Sequence, residues 1–67
     1  MEEYRVLGSK VISGALYRAE TGELTIQMVN GKTYLYYGVE KDVWEGFKLS
    51  DSKGKYYTSF IKGKYRE

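Results

Sequence analysis

Five cationic side chains near the C-terminus, Lys53, Lys55, Lys62, Lys64 and Arg66, interleave with Tyr56, Tyr57 and Tyr65. Cations neutralise phosphates and aromatic rings stack on bases, so this interleaving suits a nucleic-acid strand. The same lysines would also serve as a plain solvated face. Upstream, Tyr34 and Tyr36 share one face of the segment Lys32-Thr33-Tyr34-Leu35-Tyr36-Tyr37. If helices cover the Leu35 and Tyr37 face, Tyr34 and Tyr36 stay open beside Thr25 and Gln27 and stack bases at about 1–3 kcal/mol each. If the helices cover their own face, the two rings become core with hydroxyls at the rim. The candidate nucleic-acid-binding set is therefore Lys53, Lys55, Lys62, Lys64, Arg66, Tyr34, Tyr36 and Tyr56.

Other chemistry finds little to work with. The chain has no His and no Cys, so the commonest general base, the best nucleophile, disulfides and the usual zinc ligands are all missing. The acid pairs Glu20 with Glu23 and Glu40 with Asp42 fall in a turn and at a helix start, where acids have ordinary roles. The eight glycines are scattered and form no phosphate loop. The expectation is a protein that is not an enzyme, with no catalytic residue, no metal and no cofactor.

The elements that must position these residues follow from length and periodicity. Sixty-seven residues make one domain, and a domain this small needs a staple. Without disulfides or zinc, the options are aromatic packing and self-association, and eight Tyr, two Phe and one Trp supply the first. Residues 11–18 read as a strand, with Ile12, Gly14 and Leu16 alternating against Val11, Ala15 and Tyr17. Residues 24–29 alternate again, with Leu24, Ile26 and Met28 on one face. Asn30-Gly31 then marks a type I′ hairpin into residues 32–37. From Glu40 the period lengthens: Val43, Trp44 and Phe47 form a helical stripe, with Gly46 predicting a short helix. Ser50, Asp51 or Ser52 would cap a second helix from Lys53 to about Lys62, with Tyr56, Tyr57, Phe60 and Ile61 inward and Lys55, Ser59 and Lys62 outward. The predicted fold is α+β: a three-stranded antiparallel β-meander followed by two short helices packed on one face.

Charge is unevenly spread. Residues 1–47 carry five basic and seven acidic side chains, whereas residues 48–67 carry six basic and two acidic. A basic segment on a nearly neutral chain points to anionic partners. No apolar run reaches signal-core or membrane-spanning length, which predicts a cytoplasmic protein with no membrane partner.

The order of motifs resembles the KTSC domain, a short module named for its occurrence at the C-terminus of some lysyl-tRNA synthetases and also found as a free-standing small protein. The matching residues are Gly8-Ser9-Lys10-Val11, Tyr17, the Leu24-Thr25-Ile26 run into Asn30-Gly31, and Tyr34-Leu35-Tyr36 followed by Gly38-Val39. Ser52-Lys53-Gly54-Lys55-Tyr56-Tyr57, Phe60-Ile61-Lys62 and Tyr65 complete them, so the resemblance runs over about residues 6–65. The chain departs from the family at Glu40, where Pro is frequent, and at Thr58, where Asn is frequent. Attachment to a tRNA synthetase implies RNA as the partner. The expected function is thus a small RNA- or other nucleic-acid-binding module. The alternative is an oligomeric protein- or nucleotide-binding module, such as an inhibitor of phage or mobile-element origin, because Tyr-rich surfaces and unblunted sheet edges favour association.

Overall fold

The computed structural model describes residues 1–65. Four strands, β1 (Glu2–Arg5), β2 (Ile12–Arg18), β3 (Glu23–Met28) and β4 (Thr33–Tyr36), form one antiparallel sheet in chain order. Helix α1 (Lys41–Leu49) follows, and then α2 (Lys53–Tyr56), which widens directly into a π-helical turn at Tyr57–Ile61. The sheet thus has one strand more than the three expected. Strand β1 escapes periodicity because three of its four residues, Glu2, Glu3 and Arg5, are charged. Charges on an edge strand discourage further pairing, and only Tyr4 of β1 packs on the core.

Two details of the meander depart from simple alternation. Ile12 pairs with Met28 and Gly14 with Gln27, leaving Ser13 as a bulged extra residue. One inserted residue switches strand parity, so Ile12, Ala15 and Tyr17 supply the buried side chains of β2, whereas Leu16, expected to share a face with Ile12, is only half-buried. The Ser13 hydroxyl donates to the Gln27 carbonyl at 3.2 Å. The second detail is the Asn30-Gly31 turn. Met28 N–H donates to the Lys32 carbonyl and Gly31 N–H to the Met28 carbonyl. Gly31 alone takes positive φ, at 93°. This is a three-residue loop with a glycine in the left-handed region, not the two-residue I′ turn. Asn30 closes it by accepting from the Lys32 N–H through Oδ1 at 3.0 Å.

The helices cover the sheet face that carries Tyr4, Ala15, Tyr17, Leu24, Ile26 and Tyr36, and the core lies between. It is built largely of rings. Trp44 stacks on Tyr17 at 5.2 Å and on Phe47 at 5.8 Å between centroids, while Tyr4 meets both Trp44 and Phe47 edge-on. Such pairs add about 0.5–1.5 kcal/mol each beyond their area. The polar ends are satisfied: the Tyr17 hydroxyl donates to the Val39 carbonyl at 2.8 Å, and Trp44 Nε1 donates to Glu2 at 2.8 Å. Dense aromatic packing is therefore present as the staple that a small chain without Cys requires. Among the described residues, no helix is long and apolar enough to cross a membrane.

Candidate nucleic-acid interface

The helical segment starts where a hydroxyl can cap it. Ser52 Oγ accepts the Lys55 N–H at 3.3 Å, with Ser52 itself in extended backbone. The widening at Tyr57–Ile61 is sealed by the Lys62 N–H donating to the Tyr57 carbonyl at 2.8 Å. A π turn holds one residue more than an α turn and often marks a functional site. Here it turns both Tyr57 and Ile61 into the core while Thr58, Ser59 and Phe60 stay outside. The Thr58 hydroxyl is occupied locally, donating to the Gly54 carbonyl at 2.9 Å.

The segment separates two concavities. On one side lies an open groove of about 790 Å³ between the β1–β2 loop and the residues around the start of α2, lined in part by Arg5, Leu7, Lys10, Val11, Ser52 and Lys55. On the other lies a smaller cleft of about 260 Å³, lined by Met28, Tyr34, Tyr36, Tyr57, Lys62, Gly63 and Tyr65. The expected basic face is thus divided: Lys55 serves the groove and Lys62 the cleft.

Each candidate residue has a definite place. Tyr34 pairs with Ile26 and Tyr36 with Leu24, so both rings lie on the covered face, away from Thr25 and Gln27. Tyr36 is buried, and its hydroxyl shares a 2.5 Å hydrogen bond with that of Tyr57. Tyr34, nearer the end of the strand, is only half-buried and forms part of the cleft wall. Of the two open placements, core describes Tyr36, and a cleft-lining ring describes Tyr34.

Tyr56 is partly buried and packs against the core. Its hydroxyl donates to the Val43 carbonyl at 2.9 Å, and its ring meets Phe47 and, at 4.6 Å, Phe60. Burial, with Tyr65 adding to it, pushes its phenol pKa up, so Tyr56 stays a protonated donor, and stacking on a base would break this contact. Lys53 is similarly committed. Its ammonium donates to the carbonyls of Lys48 at 3.0 Å and Ser50 at 2.6 Å, and lies 5.6 Å from the Tyr4 ring centre. A cation at a helix C-terminus satisfies carbonyls that have no intrahelical partner, so Lys53 acts as a cap for α1. Lys55, Lys62 and Lys64 are exposed. Arg66 lies outside the described residues.

Some of the acidic side chains sit close to a cation. Glu23 sits 3.9 Å from Arg18, and Glu2 makes a 2.6 Å ion pair with Lys48. Among the described residues, no three acid side chains gather closely enough to hold a metal ion. Charge and aromatic content along the C-terminal segment do not identify the cations across the groove, Arg5 and Lys10. Lys10 lay within the Gly8-Ser9-Lys10-Val11 motif, which was the available signal. Arg5 belongs to the strand that periodicity missed.

Comparison with known proteins converges on one family. The sequence model of the KTSC domain matches residues 8–65. Lysine–tRNA ligase of Nostoc punctiforme is 38% identical over 56 residues, which are 84% of this chain and 10% of the ligase. The ligase of Trichormus variabilis is 38% identical over 50 residues, 75% of this chain and 9% of the ligase. The chain therefore spans about a tenth of the length of these relatives. The crystal structure of a KTSC domain protein from Yersinia pestis aligns with a TM-score of 0.90 at 31% identity, covering 97% of this chain and 90% of that one. With nearly its whole length matched in sequence and in fold, this chain belongs to the KTSC domain family.

Proposed function

We propose that this domain is a non-enzymatic module that binds single-stranded RNA through the Tyr34–Lys62 cleft. The observation that carries the reading is the meeting of Lys62 with a half-buried Tyr34 and Tyr65 in one concavity. A cation neutralises a phosphate, and an accessible ring takes the attached base; each stacked base contributes about 1–3 kcal/mol. Lys62 and the nearby exposed Lys64 supply the charge. Tyr36 and Tyr57 hold the floor of the cleft through their shared hydroxyl hydrogen bond. Two relatives are tRNA ligases, enzymes named for an RNA substrate, which supports RNA over DNA. The lack of His and Cys supports binding without catalysis.

The test is a titration with a short oligouridylate at two salt concentrations. Binding should weaken with salt, with a logarithmic slope of about −0.7 per phosphate neutralised, and should fall at least tenfold in Lys62→Glu/Lys64→Glu. Absence of binding at low salt would refute the reading. Saturation of the cleft by a mononucleotide with no gain from a longer strand would replace RNA with a nucleotide ligand.

A further inference from the structure

The larger groove differs chemically from the cleft, and the difference points to another kind of ligand. Besides Lys53, whose ammonium is committed to the carbonyls at the end of α1, its cations are Arg5, Lys10 and Lys55, all exposed and none in an ion pair with an acid among the described residues. Asp51 is the single acid lining it among the described residues. Two hydroxyls add directional donors. Ser9 Oγ accepts the N–H groups of Val11 and Ile12, and Ser52 Oγ accepts that of Lys55. With these oxygens engaged as acceptors, each O–H proton is left to donate to a bound anion.

The walls between these polar groups are aliphatic. Leu7 is 83% exposed and Val11 48% exposed. Among the described residues, the groove's one aromatic side chain is Tyr4, whose ring lies under the Lys53 ammonium and packs edge-on against Trp44 and Phe47. Single-stranded nucleic-acid sites need open rings for stacking as well as cations, and the half-buried Tyr4 ring is already engaged by the Lys53 ammonium and by Trp44 and Phe47. Cations and hydroxyl donors set among exposed aliphatic side chains instead match carboxylates set among aliphatic side chains. A volume of about 790 Å³ accommodates several side chains.

We propose that the groove between the β1–β2 loop and α2 is a docking site for an extended acidic segment of a partner protein. Its carboxylates pair with Arg5, Lys10 and Lys55, and its aliphatic side chains cover Leu7 and Val11. The site is independent of the RNA reading, because it shares none of the residues lining the Tyr34–Lys62 cleft.

The probe is an acetylated, amidated nonapeptide alternating Glu with Leu, followed by backbone amide NMR of the intact 67-residue chain. The expected result is saturable shifts at Leu7–Val11 and Ser52–Lys55, at least tenfold weaker in Lys10→Glu/Lys55→Glu. Leu7→Ser, which leaves every cation in place, should also weaken binding several-fold. That variant keeps the test open if charge reversal disturbs folding. No shift at millimolar peptide, or equal shifts with a Lys-Leu peptide, would overturn the proposal. So would an oligouridylate that moves the same groove amides and displaces the peptide, which would make the groove a nucleic-acid surface. An oligouridylate that shifts only Tyr34, Lys62 and their neighbours would leave both readings standing.

Discussion

Tyr56 lies directly across Gly46: a Cβ added at Gly46 would fall on the Tyr56 hydroxyl and ring. The hydroxyl reaches over this gap to donate to the Val43 carbonyl, one turn earlier on α1. Glycine in mid-helix normally costs about 1 kcal/mol relative to alanine, and here it creates the seat for a tyrosine. Gly46→Ala should therefore destabilise the domain by about 1–3 kcal/mol through overpacking, reversing the usual helix preference. Urea unfolding measures the change. Tyr56→Phe should recover part of the loss in the double variant, since the hydroxyl makes the tightest contact. A Gly46→Ala protein more stable than the parent would contradict this seat.

Lys53 and Lys55 are two residues apart and should behave oppositely. Lys53→Ala removes the ammonium shared by the Lys48 and Ser50 carbonyls and should cost about 1 kcal/mol. Lys55→Glu/Lys62→Glu changes two exposed side chains and should leave stability within about 0.5 kcal/mol per site, with a folded NMR spectrum. Loss of that spectrum would mean that one of these lysines has a structural partner.

The Glu2–Lys48 pair ties the N-terminal strand to α1 and makes stability depend on pH at both ends. Hydrogen bonds from Lys48 and then Trp44 hold the Glu2 carboxyl below its ordinary value of 4.5. Its contribution is complete above that value and is lost as pH falls through the lower folded value. The Lys48 ammonium is raised above 10.5, chiefly by its hydrogen bond to Glu2, so its contribution is complete below 10.5 and is lost as pH rises through the folded value. Glu2→Gln, which retains an acceptor for Trp44, should flatten the acid limb of a plot of unfolding midpoint against pH. An unchanged acid limb would show that the pair carries no linkage.

Tyr34 and Tyr36 should separate binding from folding. Tyr36→Phe leaves the buried Tyr57 hydroxyl without its 2.5 Å partner and should cost about 1–2 kcal/mol of stability. Tyr34→Ala should instead weaken oligouridylate binding about tenfold or more, with unfolding curves used to normalise for stability. Equal effects of the two variants on binding would remove Tyr34 from the interface.

The sequence made the three hydrophobic strands legible because Leu24, Ile26 and Met28 alternate without interruption, and Trp44 and Phe47 fixed the inward face of α1. Strand β1 stayed hidden because Glu2, Glu3 and Arg5 give it no apolar period, and its burial depends on Tyr4 meeting Trp44 forty residues later. The bulge at Ser13 was equally invisible, since either parity of β2 presents apolar residues. Which face of β4 is covered depended on the pairing of Tyr36 with Leu24, a register that the turn residues did not specify. The motif order identified the family. The lysine-tyrosine interleaving singled out Lys62 and the strand alternation singled out Tyr34, and the structure places the two in one cleft. The interleaving also included Lys53 and Tyr56, whose partners are backbone carbonyls, which carry no sequence signature.

The π turn at Tyr57–Ile61 gives the C-terminal segment a built-in frame shift. Closing the same residues into a regular α turn, with none removed, would rotate every later side chain by about 100° about the axis. Ile61 would leave the core, and Lys62 would leave the cleft with it. The direction in which this domain presents its charge is therefore set by the width of one turn as much as by composition. A relative shorter by one residue here, at Thr58 or Ser59, would close an α turn instead and keep its later side chains in register.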